Sequence, residues 1–415
     1  MSVLCLIDSC FLENNGILSN FQFGFRKNSS PQVEITQLIN NVLQNQASGK
    51  FTVSVFLDLK KAFDILDHKI LLKKLQYYGI RNSCLGWFSS YLNNRSQCTL
   101  VNSSYSHFEN VITGVPQGST LGPILFLIYI NDIVESSSIL KYILFADDTN
   151  ISHSDANLDS LTRIINIELK SVTNWLLANK LSLNVEKAKY VIFAGNKPFN
   201  DNFNIEMCNK NVMRTCKLKY LGIFIDQHLT WKDHISHIHS KISKSSGILY
   251  KVKNIVPQET LKLLYYTLIY PYLQYCNVVW GMATKSSTNS LVLLQKRVII
   301  RLITKVNFYE HTNPLFKNLG ILKFNDIYVL ECLKLIYEQI HINNSLNIQQ
   351  ASDLHCRATR NRYLLRPVFP RTETQKRFVT YFGCVKWNEL PTTIQDCNNK
   401  VSFKINAKKL IISNY

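Results

Sequence analysis

A chain of 415 residues has room for two or three packed units, each with a core of its own. Hydrophobic residues make up 46%, aromatics 11% and charged residues 18%, a globular composition that excludes a fibrous or disordered chain. The 47 basic against 28 acidic side chains leave a charge of +19, which points to a polyanionic partner because each phosphate neutralised releases condensed counterions. That charge would equally suit an anionic membrane or RNA packaging, and it names no chemistry.

Along the chain, Phe51 to Leu57 is a dense apolar run rich in β-formers, short enough for a buried strand, and it runs straight into Asp58. After Asp67, an N-cap candidate, Ile70, Leu71, Lys74, Leu75 and Tyr78 describe a helix that Gly79 stops. Tyr142 to Phe145 and Thr149 to Ser152 read as strands joined by a tight hairpin at Ala146-Asp147-Asp148. Leu158, Leu161, Ile164, Ile165, Leu169, Val172 and Leu176 follow helical spacing, with Asp155 or Asn157 as the cap. Leu181, Leu183 and Val185 alternate as in a strand, and Tyr190 to Phe193 is another. Strands and helices with an antiparallel hairpin among them predict an α+β fold.

From Trp231 onward the pattern becomes helical. Ile235, Ile238 and Ile242 mark one helix; Leu261, Leu264, Tyr265 and Leu268, beyond Pro257, mark a second; Leu291 to Ile303 is a third. Beyond Asn307 the chain is polar and basic, with one more helix expected at Ile327 to Ile340. The stretch from Arg357 to Arg377 holds six arginines and Lys376. His234, His237 and His239 read as a polar helix face, and neither they nor His355-Cys356 have a partner at zinc-ligand spacing. The 11 cysteines are scattered with no closely spaced pair, a usage that fits reduced thiols inside a cell. Met1 to Phe11 lacks a basic segment ahead of an apolar one, so no signal peptide is expected. The most apolar run, Leu121 to Ile130, is too short for a bilayer.

A carboxylate at a strand end beside two consecutive carboxylates on a neighbouring hairpin is a hard-oxygen donor set on rigid backbone. Such a set suits two divalent ions in an in-line displacement at phosphorus. Adjacent side chains on extended backbone point to opposite faces, so Asp147 is expected to face the ions with Asp58 while Asp148 reaches them from the side. An adjacent aspartate pair alone is far more often a cap or a solvated turn.

Three ordered segments make the pattern specific. Asp58-Leu59-Lys60-Lys61-Ala62-Phe63-Asp64, then Gly114-Val115-Pro116-Gln117-Gly118-Ser119-Thr120-Leu121-Gly122-Pro123, then Phe145-Ala146-Asp147-Asp148-Thr149 resemble the A, B and C motifs of reverse transcriptases. The wording is nearest to non-LTR (LINE-type, jockey-like) retrotransposons. The resemblance spans about Ile17 to Arg301. It implies a right-hand polymerase: fingers and palm over 1–228, built as an antiparallel sheet with packed helices, a helical thumb over 229–305 and a basic C-terminal region over 306–415.

By that resemblance the activity is RNA-directed DNA polymerisation by two-metal phosphoryl transfer, with two Mg2+ ions or Mn2+ in their place. Asp58, Asp147 and Asp148 are the expected carboxylate ligands, helped by the Leu59 carbonyl. Phe63 stands where these enzymes place an aromatic gate against the 2′-hydroxyl of a ribonucleotide. Gln117 and Gly118 match the segment beneath template and incoming nucleotide. Gln22-Phe23-Gly24-Phe25-Arg26 resembles a fingers motif whose arginine approaches the triphosphate. Leu183-Asn184-Val185-Glu186-Lys187 resembles the D motif, with Lys187 as proton donor to pyrophosphate; Ala188 stands where the family usually has threonine. Tyr220-Leu221-Gly222-Ile223-Phe224-Ile225-Asp226 resembles the primer grip.

The expected partners are an RNA template, a DNA primer or target and dNTPs, with no membrane, in the nucleus or cytoplasm. Family members have more fingers sequence ahead of the Gln22 motif and an upstream endonuclease, so the expectation is a truncated copy. An RNA-dependent RNA polymerase is disfavoured by Ala146, where it would have glycine, and by Phe63. Intron maturases and telomerase share the metal logic but not the wording around Asp58 and Gln117. The alternative of a different class is a non-catalytic nucleic-acid-binding remnant.

Overall fold

In the computed structural model, residues 9–27, 29–195, 197–199, 203–306, 309–342, 346, 348–351, 364–367 and 369–415 are described. Of the basic stretch from Arg357 to Arg377, Arg357, Arg360 and Arg362 lie outside them, as does the His355-Cys356 pair. The chain divides into two compact units, one of 1–34 and 48–216, the other of 35–47 and 217–415. The expected thumb (229–305) and C-terminal region (306–415) therefore fall in the same unit.

In the first unit a short helix α1 (Ser9–Asn14) comes first. A longer one, α2 (Pro31–Ala47), begins here and belongs to the second unit from Ile35 onward. Strand β1 (Phe51–Leu57) is buried at every position, as its unbroken apolar run requires of a central strand. Helix α3 (His68–Tyr77) is capped by Asp67, whose Oδ1 accepts the Ile70 N–H at 3.0 Å, and it ends ahead of Gly79, at φ +92. Helix α4 (Asn82–Leu92) leads into an exposed ribbon of four short strands: β2 (Arg95–Gln97), β3 (Leu100–Val101), β4 (Ser104–Tyr105) and β5 (Glu109–Val111). Helix α5 (Leu121–Ile130) is apolar nearly all round and is buried accordingly.

The hairpin follows as β6 (Lys141–Phe145) and β7 (Asp148–Asp155). Helix α6 (Leu158–Ala178) buries Leu161, Ile165, Leu169, Val172 and Leu176, the stripe its spacing predicts. Of the two expected caps Asn157 is the one used, accepting from the Asp159 and Ser160 amides at 2.8 and 3.1 Å. Strand β8 (Lys189–Phe193), a short hairpin β9 (Glu206–Met207) and β10 (Lys210–Asn211), and β11 (Met213–Arg214) complete the unit. Its five-stranded sheet has the order β11-β8-β1-β7-β6, antiparallel except for β11 against β8.

The strand expected over Leu181 to Val185 is a correction. Only an isolated bridge, Leu59 to Leu183, forms there. Asn184 then opens a turn, taking the Lys187 and Ala188 amides on its carbonyl, and a chain that turns cannot continue a ladder.

The second unit opens with the hairpin β12 (Lys217–Tyr220) and β13 (Ile223–Asp226). The Asp226 carboxylate accepts from the Thr230 and Trp231 amides at 2.9 Å each, turning the chain into α7 (Lys232–Val252). Next come α8 (Gln258–Leu268), α9 (Tyr270–Gln274), α10 (Asn277–Trp280) and α11 (Lys285–Arg297), the last continuing as π-helix over Val298–Thr304. The segment beyond 307 is more than a basic tail with one helix. After α12 (Thr312–Leu319), α13 (Phe324–His341) is buried on every side, even Glu331 at 2% exposure; Lys334 pairs with it at 2.7 Å. The last longer helices, Val379–Asn388 and Lys400–Ser413, pack on α13 through Trp387 and Phe403 around Tyr337. The aromatics supply a core that the surrounding polar sequence hides.

His234 is a further correction to the expected polar face. It is 3% exposed, edge-on to Trp280 at 5.3 Å, and burial pushes its pKa down to about 4. Among the described residues no helix is long and apolar enough to cross a membrane.

Candidate active site

Asp58 is the first residue past β1, and the backbone on either side of it is pinned. Its carbonyl accepts the Asn184 N–H at 2.8 Å, and Lys60 N–H donates to Ser182 O at 2.8 Å, so 182–184 lies alongside 58–60. These bonds flank the Leu59–Leu183 pair, which leaves Leu59's own carbonyl out of the ladder. The Asp58 carboxylate takes the Asn184 amide at 3.1 Å and stands 3.6 Å from the Lys187 ammonium. Thus the D-motif lysine is beside the A-motif aspartate, on a side chain 72% exposed.

The β6–β7 hairpin is closed by the Phe145–Asp148 pair, so its loop is Ala146-Asp147. Ala146 is 4% exposed and sits at φ +55, a region that favours glycine. The register Leu57↔Thr149, carried one step on, sets Asp58 across from Asp148. Asp147, being in the turn, does not follow strand alternation. Burial, then the charge of Asp147, then that of Asp58 push the Asp148 pKa up to about 6. The three expected carboxylates thus share one field. Like charges so held favour a cation between them, and the donors are hard oxygens. They are not drawn tight, however: among the described residues no three His, Cys, Asp or Glu side chains are gathered closely enough to grip an ion.

The B-motif loop is stitched to the turn after Asp58 through Asp64. Thr113 donates its hydroxyl to Asp64 O at 3.0 Å, Gln117 Nε2 donates to Asp64 Oδ1 at 2.9 Å, and Val115 N–H donates to Phe63 O at 2.9 Å. Gly114, at φ +84, passes so close that a Cβ there would meet Asp64 O at 2.6 Å. Gln117 and Gly118 are exposed beyond it, Gly118 at φ +82 in open space. Asp64, Gly114 and Gln117 line one side of an open cleft, with Arg95, Gln97 and Val111 of the β2–β5 ribbon on the other. Phe63 is half-buried, packed on Phe126 of α5 at 4.7 Å and edge-on to Phe25 at 6.5 Å.

Arg26 is placed differently from the triphosphate role expected of it. Its Nε donates to Glu13 at 2.7 Å, its Nη2 also pairs with Glu13, and its Nη1 donates to the Ser19 and Gln22 carbonyls at 2.6 and 3.1 Å. Four donations engage the guanidinium and tie the N-terminal loop together.

The expected primer-grip residues belong to the second unit. Tyr220 is buried, and Leu221-Gly222 form a two-residue turn with φ +43 and +82, the signature of a type I′ hairpin. Tyr275 props its tip, donating its hydroxyl to Leu221 O at 2.8 Å.

Sequence reasoning gave no role to Asp64, Asn184, Tyr275 or Gln22. Asp64, Asn184 and Gln22 lie inside the motifs named above. Tyr275 left no signal, since its partner is 54 positions away.

A sheet carrying three carboxylates at one end, with a glycine-rich loop and an aromatic beside them, has the hard-oxygen donors that two-metal displacement at phosphorus requires. Residues 7–225, more than half of the chain, match the family described as reverse transcriptase (RNA-dependent DNA polymerase). The chain belongs to that family, and its fold is α+β, a five-stranded sheet with packed helices followed by a run of helices. It is 27% identical over 328 residues to the RNA-directed DNA polymerase from mobile element jockey of Drosophila melanogaster, covering 74% of this chain and 34% of that protein. It is 27% identical over 322 residues to the probable RNA-directed DNA polymerase from transposon BS of the same organism, with the same coverage of each. The chain thus spans about a third of the length of these curated relatives. Among solved structures, a Candida albicans telomerase in complex with a telomeric RNA fragment shares 12% identity at a TM-score of 0.47, covering 77% of this chain and 58% of that one.

Proposed function

We propose that this chain is the polymerase portion of a non-LTR retrotransposon protein and adds deoxynucleotides to a primer 3′ end on an RNA template. The observation that carries this is the shared field of Asp58, Asp147 and Asp148, at the ends of adjacent strands inside the matched span.

In this reading Asp58, Asp147, Asp148 and the Leu59 carbonyl hold two divalent ions, Mg2+ or Mn2+. When bound, such ions supply Lewis-acid stabilisation of the attacking and leaving oxygens. Lys187, exposed beside Asp58, would hand a proton to departing pyrophosphate. Phe63, braced on Phe126, keeps its ring where a 2′-hydroxyl would need room. Gln117 and Gly118 carry the base pair being formed, and the Leu221-Gly222 turn holds the primer. The helices from Trp231 onward act as the thumb and the remainder as a further nucleic-acid-binding region. Arg26 reaches a triphosphate only after leaving Glu13. The cysteines are scattered along the sequence with no closely spaced pair, a usage that supports an intracellular setting, nuclear or cytoplasmic.

The test is primer extension on poly(rA)/oligo(dT) with Mg2+, wild type against Asp147→Ala. Incorporation of dTTP that disappears in the variant is expected. Salt-dependent RNA binding by both proteins with incorporation by neither would establish the non-catalytic reading instead.

A further inference from the structure

The segment from Phe21 to Phe25 is laid against the hairpin that carries Asp147, within the first unit. Phe23 N–H donates to Leu144 O at 2.7 Å and Leu144 N–H to Phe21 O at 2.8 Å, so the segment runs as an extra edge beside β6. Gln22, 2% exposed, points inward, and its Oε1 accepts both the Gly24 N–H at 2.8 Å and the Ala146 N–H at 3.1 Å. Ala146 needs that acceptor. It is the first loop residue of a hairpin closed at Phe145–Asp148, so the ladder offers its amide no partner, and it is buried.

Gly24 makes the approach feasible, because a Cβ there would lie 2.3 Å from Ala146 N. The other end of the Gln22 amide does nothing comparable: its Nε2 is buried without a hydrogen-bond partner. A side chain that leaves one end unsatisfied while the other holds two amides is kept for the carbonyl.

We propose that Gln22 is a positioning residue for the catalytic turn: its side-chain carbonyl clamps Ala146 in the left-handed conformation and so sets where Asp147 presents its carboxylate. The proposal rests on the reading of Asp147 as a metal ligand. Loss of the clamp lets the turn relax, and the site binds divalent ions more weakly while the surfaces that hold nucleotide and primer are unchanged.

The experiment measures Mn2+ binding to the full chain by electron paramagnetic resonance, alongside steady-state primer extension, in wild type, Q22M, Q22E and D147A. Q22M keeps the length of the side chain and removes the acceptor. It should weaken Mn2+ binding and lower kcat by about tenfold each, the range typical of groups that orient metal ligands, with KM for dTTP unchanged. Q22E still offers an oxygen to both amides and should bind Mn2+ within about threefold of wild type. D147A should lose the bound ion. Should Q22M fail to fold, Q22N, whose shorter arm falls short of Ala146, takes its place with the same expectation. Unchanged Mn2+ binding in the acceptor-deficient variant, or an equal loss in Q22E, overturns the clamp and leaves the polymerase reading standing if D147A loses the ion. Unchanged binding in D147A removes both.

Discussion

Replacing Asp148 by Asn should make the metal-free protein more stable at neutral pH. Burial and the charges of Asp147 and Asp58 raise the Asp148 pKa from the ordinary carboxylate range to about 6. A rise of that size is worth about 3 kcal/mol against keeping the folded carboxylate ionised, and partial solvent exposure brings the figure to about 1–2 kcal/mol. Below about pH 4 the group is protonated in folded and unfolded chains alike, so the full stability is present. Between about pH 4 and pH 6 the unfolded chain releases its proton while the folded one retains it, and stability falls with rising pH. Above pH 6 the loss is complete and constant. Urea denaturation in EDTA should therefore show little difference between wild type and Asp148→Asn near pH 4, and a higher midpoint for the variant above pH 6. Saturating Mg2+ should narrow or reverse the gap at neutral pH, because the ion binds the wild-type carboxylates better. A variant less stable than wild type at neutral pH in EDTA, or one with a pH-independent gain, would refute the shared-field reading.

Phe63→Ala or Val should raise ribonucleotide relative to deoxyribonucleotide incorporation in single-nucleotide extension; an unchanged ratio removes the gate assignment. Gly114→Ala should cost about 2–4 kcal/mol, from a positive φ and a Cβ driven into the Asp64 carbonyl, and a melting curve matching wild type would contradict that crowding. Tyr275→Phe should cost about 1 kcal/mol at most and shorten products on a long template, because the Leu221-Gly222 tip loses its hydroxyl prop. Wild-type product lengths would dissociate that contact from primer handling.

What could be read in advance follows the range of the interactions. Strand β1, the β6–β7 hairpin, and helices α3 and α6 carry their signals within a dozen or so residues, in apolar spacing and caps, and they form where expected. Leu181 to Val185 shows the same alternation as a strand, yet Asn184 turns the chain and only one bridge forms. His234 lies on the same helical stripe as Ile235, Ile238 and Ile242, so its burial follows that spacing while its residue type suggested a polar face, and Trp280, 46 residues away in the chain, packs against it. The region beyond 307 looked like a basic tail because its aromatics, Phe316, Phe324, Tyr337, Trp387 and Phe403, are spread thinly among charges. Tyr337, Trp387 and Phe403 pack against one another, Phe324 stacks on Trp280, and Phe316 is buried as well.

The candidate site divides along the same line. Asp58, Asp147 and Asp148 stand out in the sequence by residue type and motif order, and the structure brings them to the ends of adjacent strands. The side chains that decide how those carboxylates are presented are ordinary amides and a small residue: Asn184 on Asp58, Gln22 on Ala146 and Gly24 against the turn. An amide has no distinctive signature in sequence, and Gln22 meets Ala146 across 124 positions. The same reasoning accounts for Arg26. Its residue type suited a triphosphate, but Glu13 and two carbonyls lie within reach in the folded loop and already satisfy the charge. A guanidinium so occupied must exchange a paired, half-sheltered carboxylate for the substrate. Nucleotide capture through Arg26 would therefore carry the cost of breaking the Glu13 pair, and Glu13→Gln should lower the KM for dNTP if that exchange takes place. A KM unchanged in Glu13→Gln but raised in Gln117→Ala would assign nucleotide capture to the B-motif loop and leave Arg26 as a brace for the N-terminal loop.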